Sequence, residues 1–255
     1  MNAKFGIELF DSAAPDGFPR ESFILLFGEG GTGKSVTLLQ IAGSRLIAGE
    51  PCVFVTFDDS PSSLVENFKR FNSGEPIEKG LLTIVDGFSF RSKMPQKANS
   101  YVKYVENPRD RQSLNNVIFS AIDKLNGKGS VFIDSITELF TMSEPTSTIE
   151  TIKDWRAQLS KARGLPVFAS HHLGVRAIDE FAGMLEYVVD CVIDFRFDPV
   201  FAQQGLLARQ FRIKKLKGAT HDTLWHYFTI DKNGIQAIRA QPQKAPKEDA
   251  QRLSK

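Results

Sequence analysis

Residues 28–35 read GEGGTGKS, which fits GxxxxGK[ST]. They sit between an apolar strand-like run, FILLF at 23–27, and a segment of helical period opening at Val36. That order has a chemical use. Gly28, Gly30, Gly31 and Gly33, with Glu29 and Thr32 between them, let successive backbone N–H groups converge on phosphate oxygens. The Lys34 ammonium then reaches the β- and γ-phosphates, the Ser35 hydroxyl ligates Mg2+, and the helix N-terminus adds its dipole. A nucleoside triphosphate with Mg2+ is the expected ligand. The sequence has no guanine-selective NKxD run, so ATP is favoured.

A Mg2+–nucleotide site also needs a carboxylate at the end of another buried strand. Asp134, which ends the apolar run VFID, stands 100 residues after Lys34. So long a gap implies a further strand, and VFVTF at 53–57 supplies it. It runs into Asp58 and Asp59, just before Ser60-Pro61, an N-cap with proline at the first helical position. A carboxylate there can orient and deprotonate an attacking water; the same two residues also suit a turn and a cap. PVFAS at 166–170 brings Ser170, His171 and His172 to the same sheet edge, where a polar group can sense the γ-phosphate. A second cationic cluster, KLKGATH at 215–221, lies 180 residues after Ser35 and holds Lys215, Lys217 and His221. Strict alternation puts Phe211 and Ile213 on one face with Lys215 and Lys217. That face is apolar where it packs and cationic where it leaves the sheet. A basic edge strand that resists aggregation has the same pattern.

The elements that must position these residues are legible as alternation. The runs at 23–27, 53–57, 81–85, 131–133, 166–170 and 191–195 are mostly apolar on both faces, as buried parallel strands must be. Between them lie helix patterns. Leu114, Val117, Ile118, Ala121, Ile122 and Leu125 fall on one face, with Asn126-Gly127 as the stop. Leu64, Val65 and Phe68 follow the Ser60 cap, and Ile149, Ile152, Leu159 and Ala162 precede Gly164. The prediction is a three-layer α/β domain with a mainly parallel sheet. After about residue 205, LLARQFRIKKL, WHYFTI and IQAI read as antiparallel strands added to that sheet. One domain over 1–238 is expected, with a disordered basic tail over 239–255.

The net charge of +2 excludes neither nucleic acid nor protein partners, because patches decide that. Cys52 and Cys191 each lie in an apolar run and read as buried thiols, which fits a reducing cytoplasm. No apolar run reaches membrane-spanning length and the N-terminus lacks a signal-peptide core, so a soluble cytoplasmic protein without a membrane partner is expected.

These motifs together resemble the KaiC-like branch of the RecA superfamily of P-loop ATPases, which includes archaeal RadA paralogues, over about residues 5–238. PDGFPRES resembles the family's "GGIP" turn, with Asp16 and Glu21 where glycines are usual. GEGGTGKS matches its Walker A and VFIDSITELF its Walker B. VFVTFDDSPSSLVENF resembles the "FEESP" segment, whose glutamates serve in catalysis. Here both are aspartates, one methylene shorter, which implies slow hydrolysis. By this resemblance Asp59 best matches the catalytic glutamate of RecA-like ATPases. Ser170-His171-His172 is similar to the "SHH" sensor, and KLKGATH to the "KxRGxxH" element. In ring-forming relatives that element points into the neighbouring subunit's nucleotide, which implies a homo-oligomer, a hexameric ring, with Lys215, Lys217 and His221 acting in trans. Lysine at 217 replaces the usual arginine and loses its bidentate clamp.

The resemblance leaves the biological task open between two readings. One is a nucleotide-dependent oligomeric switch with a protein partner, with autokinase activity as a further option. The other is a repair accessory that binds single-stranded DNA. Residues 87–112 bear on the choice. From Arg91 to Arg111 they carry six Lys/Arg against two acids, interleaved with Tyr101 and Tyr104, and basic with aromatic residues is what a single strand needs.

Overall fold

The computed structural model describes residues 2–71, 73–92 and 99–238. In chain order its strands are β1 (Asn2–Ala3), β2 (Phe18–Pro19), β3 (Phe23–Gly28), β4 (Cys52–Thr56), β5 (Leu82–Asp86) and β6 (Val102–Tyr104). Then come β7 (Ser130–Asp134), β8 (Val167–His172), β9 (Cys191–Phe197), β10 (Arg209–Leu216), β11 (His226–Asp231) and β12 (Gly234–Ala237). The first two pair as a small ribbon. The other ten form one sheet in the order β12-β11-β10-β9-β3-β8-β7-β4-β5-β6.

From β9 to β6 every neighbouring pair is parallel, while β9 to β12 is an antiparallel meander. The predicted three-layer architecture and its antiparallel extension are thus both present. β3, β4 and β7 are buried along their whole length, as their apolar composition requires. One face packs under the helices Lys34–Ile47 and Pro61–Arg70, the other under Arg111–Ile122 and Pro145–Trp155. The phenylalanines concentrate in these layers; Phe54, Phe132 and Phe168 stack side by side across β4, β7 and β8.

The local signals act where expected. Ser60 Oγ accepts from Ser63 N, 3.3 Å away, and opens the helix Pro61–Arg70. Asn126 (φ 48°) stops the turn that follows Arg111–Ile122. Two features differ from the sequence reading. First, residues 87–112 contain a strand absent from the sequence reading, since Val102–Tyr104 joins β5 as the parallel edge strand β6. Second, β10 does not alternate strictly. Its register with β9 shifts between Ile213 and Lys215, a bulge that leaves Lys214 without a partner across the pair. Leu216 therefore joins Phe211 and Ile213 in the core, and Lys215 turns to the opposite face. The expected shared face of Phe211, Ile213, Lys215 and Lys217 is thus corrected by one extra residue. The tail 239–255 lies outside the described residues, as do Lys93 and Lys97 of the basic stretch.

Candidate functional site: the phosphate loop

Strand β3 ends at Gly28, and the loop closes into the helix Lys34–Ile47. Gly31 (φ 77°) and Gly33 (φ 109°) hold left-handed backbone, which glycine adopts without strain. A Cβ at Gly33 would also lie 3.1 Å from Ile230 Cδ1, so β11 packs directly on the loop. Thr32 Oγ1 donates to Glu29 O (2.7 Å) and pins the turn. The Lys34 ammonium is buried and donates to Gly28 O (2.7 Å) and Glu29 O (2.9 Å). Burial lowers its pKa to about 8, against the opposing pull of Asp134, Asp58 and Glu29.

Asp134 ends β7 opposite this lysine. Its carboxylate accepts from Ser170 Oγ and from the Ser35 side chain. Burial pushes its pKa up, and the charge of Asp58 adds to that push. The buried Asp134 and the exposed Asp58, with the Ser35 and Ser170 hydroxyls, form an oxygen set beside Lys34, which feels the charge of both carboxylates. Among the described residues no three His, Cys, Asp or Glu side chains form a complete cage for a metal. The oxygen set itself is of the kind Mg2+ takes, with one or two carboxylates and the rest of the shell from phosphates and water.

The two aspartates after β4 are turned differently. Asp58 Oδ2 lies 3.7 Å from His172 Nε2, and its charge is felt by both Lys34 and Asp134. Asp59 also lines the cleft, but its carboxylate is engaged by its own helix. Ser60 N (2.8 Å) and Ser63 Oγ (2.6 Å) donate to it, while its backbone is held by Thr56 Oγ1. The His-His pair is divided by strand alternation. Ser170 and His172 point to the loop side, and His171 to the other. His171 is fully buried between Phe27 and Phe140, with Nδ1 3.3 Å from Thr137 Oγ1. Burial depresses its pKa to about 4, so it stays neutral. The structure does not bring His171 to the phosphate loop; His172, whose backbone N–H donates to Thr137 Oγ1 (2.7 Å), lies there instead.

Two clefts of about 440 and 380 Å3 flank the loop. The first runs from Ser35, Asp58 and Asp134 to Arg70 and Lys232; the second holds Lys34, His172, Arg209 and Ile230. Sequence reasoning missed Arg209, Ile230, Arg70 and Lys232. Arg209 Nε donates to Gly31 O (3.0 Å) and its guanidinium lies over Phe197. Only the pairing of β10 with β9 creates that neighbourhood, and no motif around Arg209 announces it.

KLKGATH lies at the other end of the sheet. Strand β10 runs antiparallel to β9, so Arg209 pairs with Phe197 near the loop and Leu216 with Cys191 far from it. The strand between them spans about 23 Å at 3.3 Å per residue. Lys215 Nζ donates to Glu186 O (2.5 Å) and Val189 O (2.7 Å), at the end of the helix Ala182–Val188. Lys217 is exposed, and His221 is half-buried in the turn that follows. None of the three reaches the phosphate loop of its own chain.

Residues 3–242 match the model described as "ATPase: KaiC". The chain belongs to the KaiC family of ATPases. A UPF0273 protein of Methanopyrus kandleri is 32% identical over 247 residues, covering 94% of this chain and 91% of the relative. The circadian clock oscillator protein KaiC of Parathermosynechococcus lividus is 28% identical over 90% of this chain, which spans 41% of that longer protein. The crystal structure of a KaiC-like protein from Pyrococcus horikoshii superposes with a TM-score of 0.73 at 23% identity, covering 94% of this chain and 99% of that one. As a KaiC-family ATPase the chain has a RecA-like nucleotide-binding fold. Among its described residues no helix is long and apolar enough to cross a membrane.

Proposed function

We propose that this KaiC-family ATPase is a nucleotide-dependent oligomeric switch, in which residues 1–238 act as one unit that binds ATP–Mg2+ and hydrolyses ATP slowly. The observation that carries the reading is the placement of KLKGATH. An exposed lysine, Lys217, stands at the end of the sheet opposite its own phosphate loop, so it can serve a nucleotide only in a neighbouring copy.

The roles divide as follows. Gly28 to Gly33 cradle the phosphates and Lys34 neutralises them. Ser35 and Asp134 would hold Mg2+, which lowers the negative charge of the transferring phosphoryl group, and Ser170 orients the Asp134 carboxylate. Between the two aspartates we take Asp58 as the base, because both Asp59 oxygens already accept hydrogen bonds at the start of their helix. His172 lies 3.7 Å from Asp58 and is suited to report the γ-phosphate. Lys217 of the neighbouring copy would approach the same phosphates, as an arginine finger does. Lys215, bonded to two carbonyls, is an anchor of that element.

The switch is favoured over single-stranded DNA binding because three of the four described cations of residues 87–112, Arg91, Lys103 and Arg111, are engaged within the fold. Arg91 pairs with Glu138 (2.7 Å) and Lys103 donates to Ser120 Oγ (2.7 Å). Sedimentation at rising protein concentration, with and without ATP–Mg2+, tests the reading alongside turnover. Turnover per chain should rise with the oligomeric fraction. Full turnover by the monomer would refute it.

A further inference from the structure

KLKGATH is rooted on a carboxylate for which the catalytic scheme has no use. Asp190 sits between the helix Ala182–Val188 and β9, with its side chain only 4% exposed. Arg156 grips it at two points, with Nε 3.1 Å from Oδ2 and Nη2 2.7 Å from Oδ1. Lys161 Nζ adds a contact at 3.3 Å, and Phe23 N donates to Oδ2 at 3.1 Å. A buried carboxylate is costly unless compensated, and this one is compensated from every side.

Local geometry is set up for that grip. The helix Pro145–Trp155 continues as a π-helical turn, Arg156–Lys161. Its i→i+5 bonding widens the turn, so two cations five residues apart come onto one face. In a regular α-helix Arg156 and Lys161 would diverge. Lys161 Nζ also donates to Glu21 O (2.8 Å), just ahead of β3.

The backbone of Asp190 completes the link. Its N–H donates to Phe23 O (3.0 Å), and its carbonyl accepts from Lys217 N (3.0 Å). Phe23 is the first residue of the strand that ends in the phosphate loop. One residue is therefore bonded to the start of that strand and to the backbone of Lys217.

We propose that Asp190, gripped by Arg156 and Lys161, is a positioning residue that fixes Lys217 relative to the phosphate-loop strand and so sets the cation offered to a neighbouring copy. The inference rests on the trans reading above. It assigns Asp190 no contact with nucleotide; misplacing the cation by about 1 Å is enough to cost up to 100-fold.

Complementation tests it. Asp190→Asn should keep its ATP affinity and lose turnover by about 10- to 100-fold. Mixed with Lys34→Ala under confirmed subunit exchange, it should regain activity. In those rings Asp190→Asn supplies an intact loop, and its neighbour supplies an intact clamp and Lys217. Mixed with Lys217→Ala it should regain nothing, because neither chain then offers a placed cation. A merely structural role would not separate the two mixtures. Rescue by Lys217→Ala, rescue by both partners, or rescue by neither would each overturn the inference. The control mixture of Lys34→Ala with Lys217→Ala judges the trans reading separately. If that pair stays inactive, the trans reading has failed and the clamp falls with it. Arg156→Gln, which leaves the carboxylate in place, must give the same pattern, and it decides the matter if Asp190→Asn does not fold.

Discussion

Burial inside the loop holds the Lys34 pKa at about 8, well below that of a free lysine. Bound phosphates would restore the proton, since they add anionic charge next to that of Asp134, Asp58 and Glu29. ATP binding should therefore take up a proton at pH 8–9, where the free protein has begun to lose it, and should weaken as pH rises further. Below about pH 7 both states hold the proton and the dependence vanishes. Calorimetry in buffers of different ionisation heat reads this directly, and Lys34→Ala should abolish both the uptake and most of the affinity. The sign for stability is the opposite. The unfolded lysine binds its proton more tightly, so this residue's contribution to stability rises with pH from about 8 to 10.5. The two aspartates are separated by their contacts. Asp58→Asn should retain ATP and lose turnover by about 100-fold or more. Asp59→Asn should lose much less, because Ser60 N and Ser63 Oγ already occupy its carboxylate. Equal losses in single-turnover assays would contradict the assignment of Asp58.

The bulge in β10 decides what each lysine of KLKGATH does. By inserting one residue it sends Lys215 to the carbonyls that end the helix Ala182–Val188 and leaves Lys217 free beyond Leu216. A cation on helix-terminal carbonyls contributes about 0.3–1 kcal/mol. Lys215→Met should thus lower urea stability by about that amount, whereas Lys217→Ala should leave stability unchanged and remove turnover. The cap at Ser60 is independent of both. Ser60→Ala should cost about 1 kcal/mol, with ATP affinity unaltered. That separates the helix cap from the chemistry of Asp58, two residues before it, and a large loss of affinity would show the two are not separable.

On the proposed reading, the two ends of the sheet would each carry half of a site. The phosphate loop, Asp134 and Asp58 gather where the parallel strands end, and Lys217 leaves the sheet at the other edge because β10 runs antiparallel. In a ring of like copies each loop would face its neighbour's lysine, so mixing two inactive variants, Lys34→Ala and Lys217→Ala, should restore part of the activity. A lysine acting on its own chain permits no rescue, since every subunit would carry one broken half. Flat activity at all mixing ratios, with exchange confirmed, would reject the trans role.

Local chemistry was enough to propose the phosphate site. A glycine-rich loop between an apolar strand and a helix has few uses besides phosphate, so residues 28–35, and Asp134 at the end of a buried strand, were legible from residue types and spacing. So were the parallel sheet, the Ser60 cap and the antiparallel extension, because burial on both faces and capping are properties of short segments. What depended on distance along the chain was not legible. The alternation of β8 chooses His172 over His171 for the loop side, and a period of two cannot say which parity faces inward. The bulge at Lys214 reverses that parity within β10, and the pairing of β10 with β9 brings Arg209 to Gly31, 178 residues away. Asp190 had no motif at all. Its bonds to Phe23, Arg156 and Lys217 span up to 167 residues of sequence, and only the folded sheet draws them to one carboxylate.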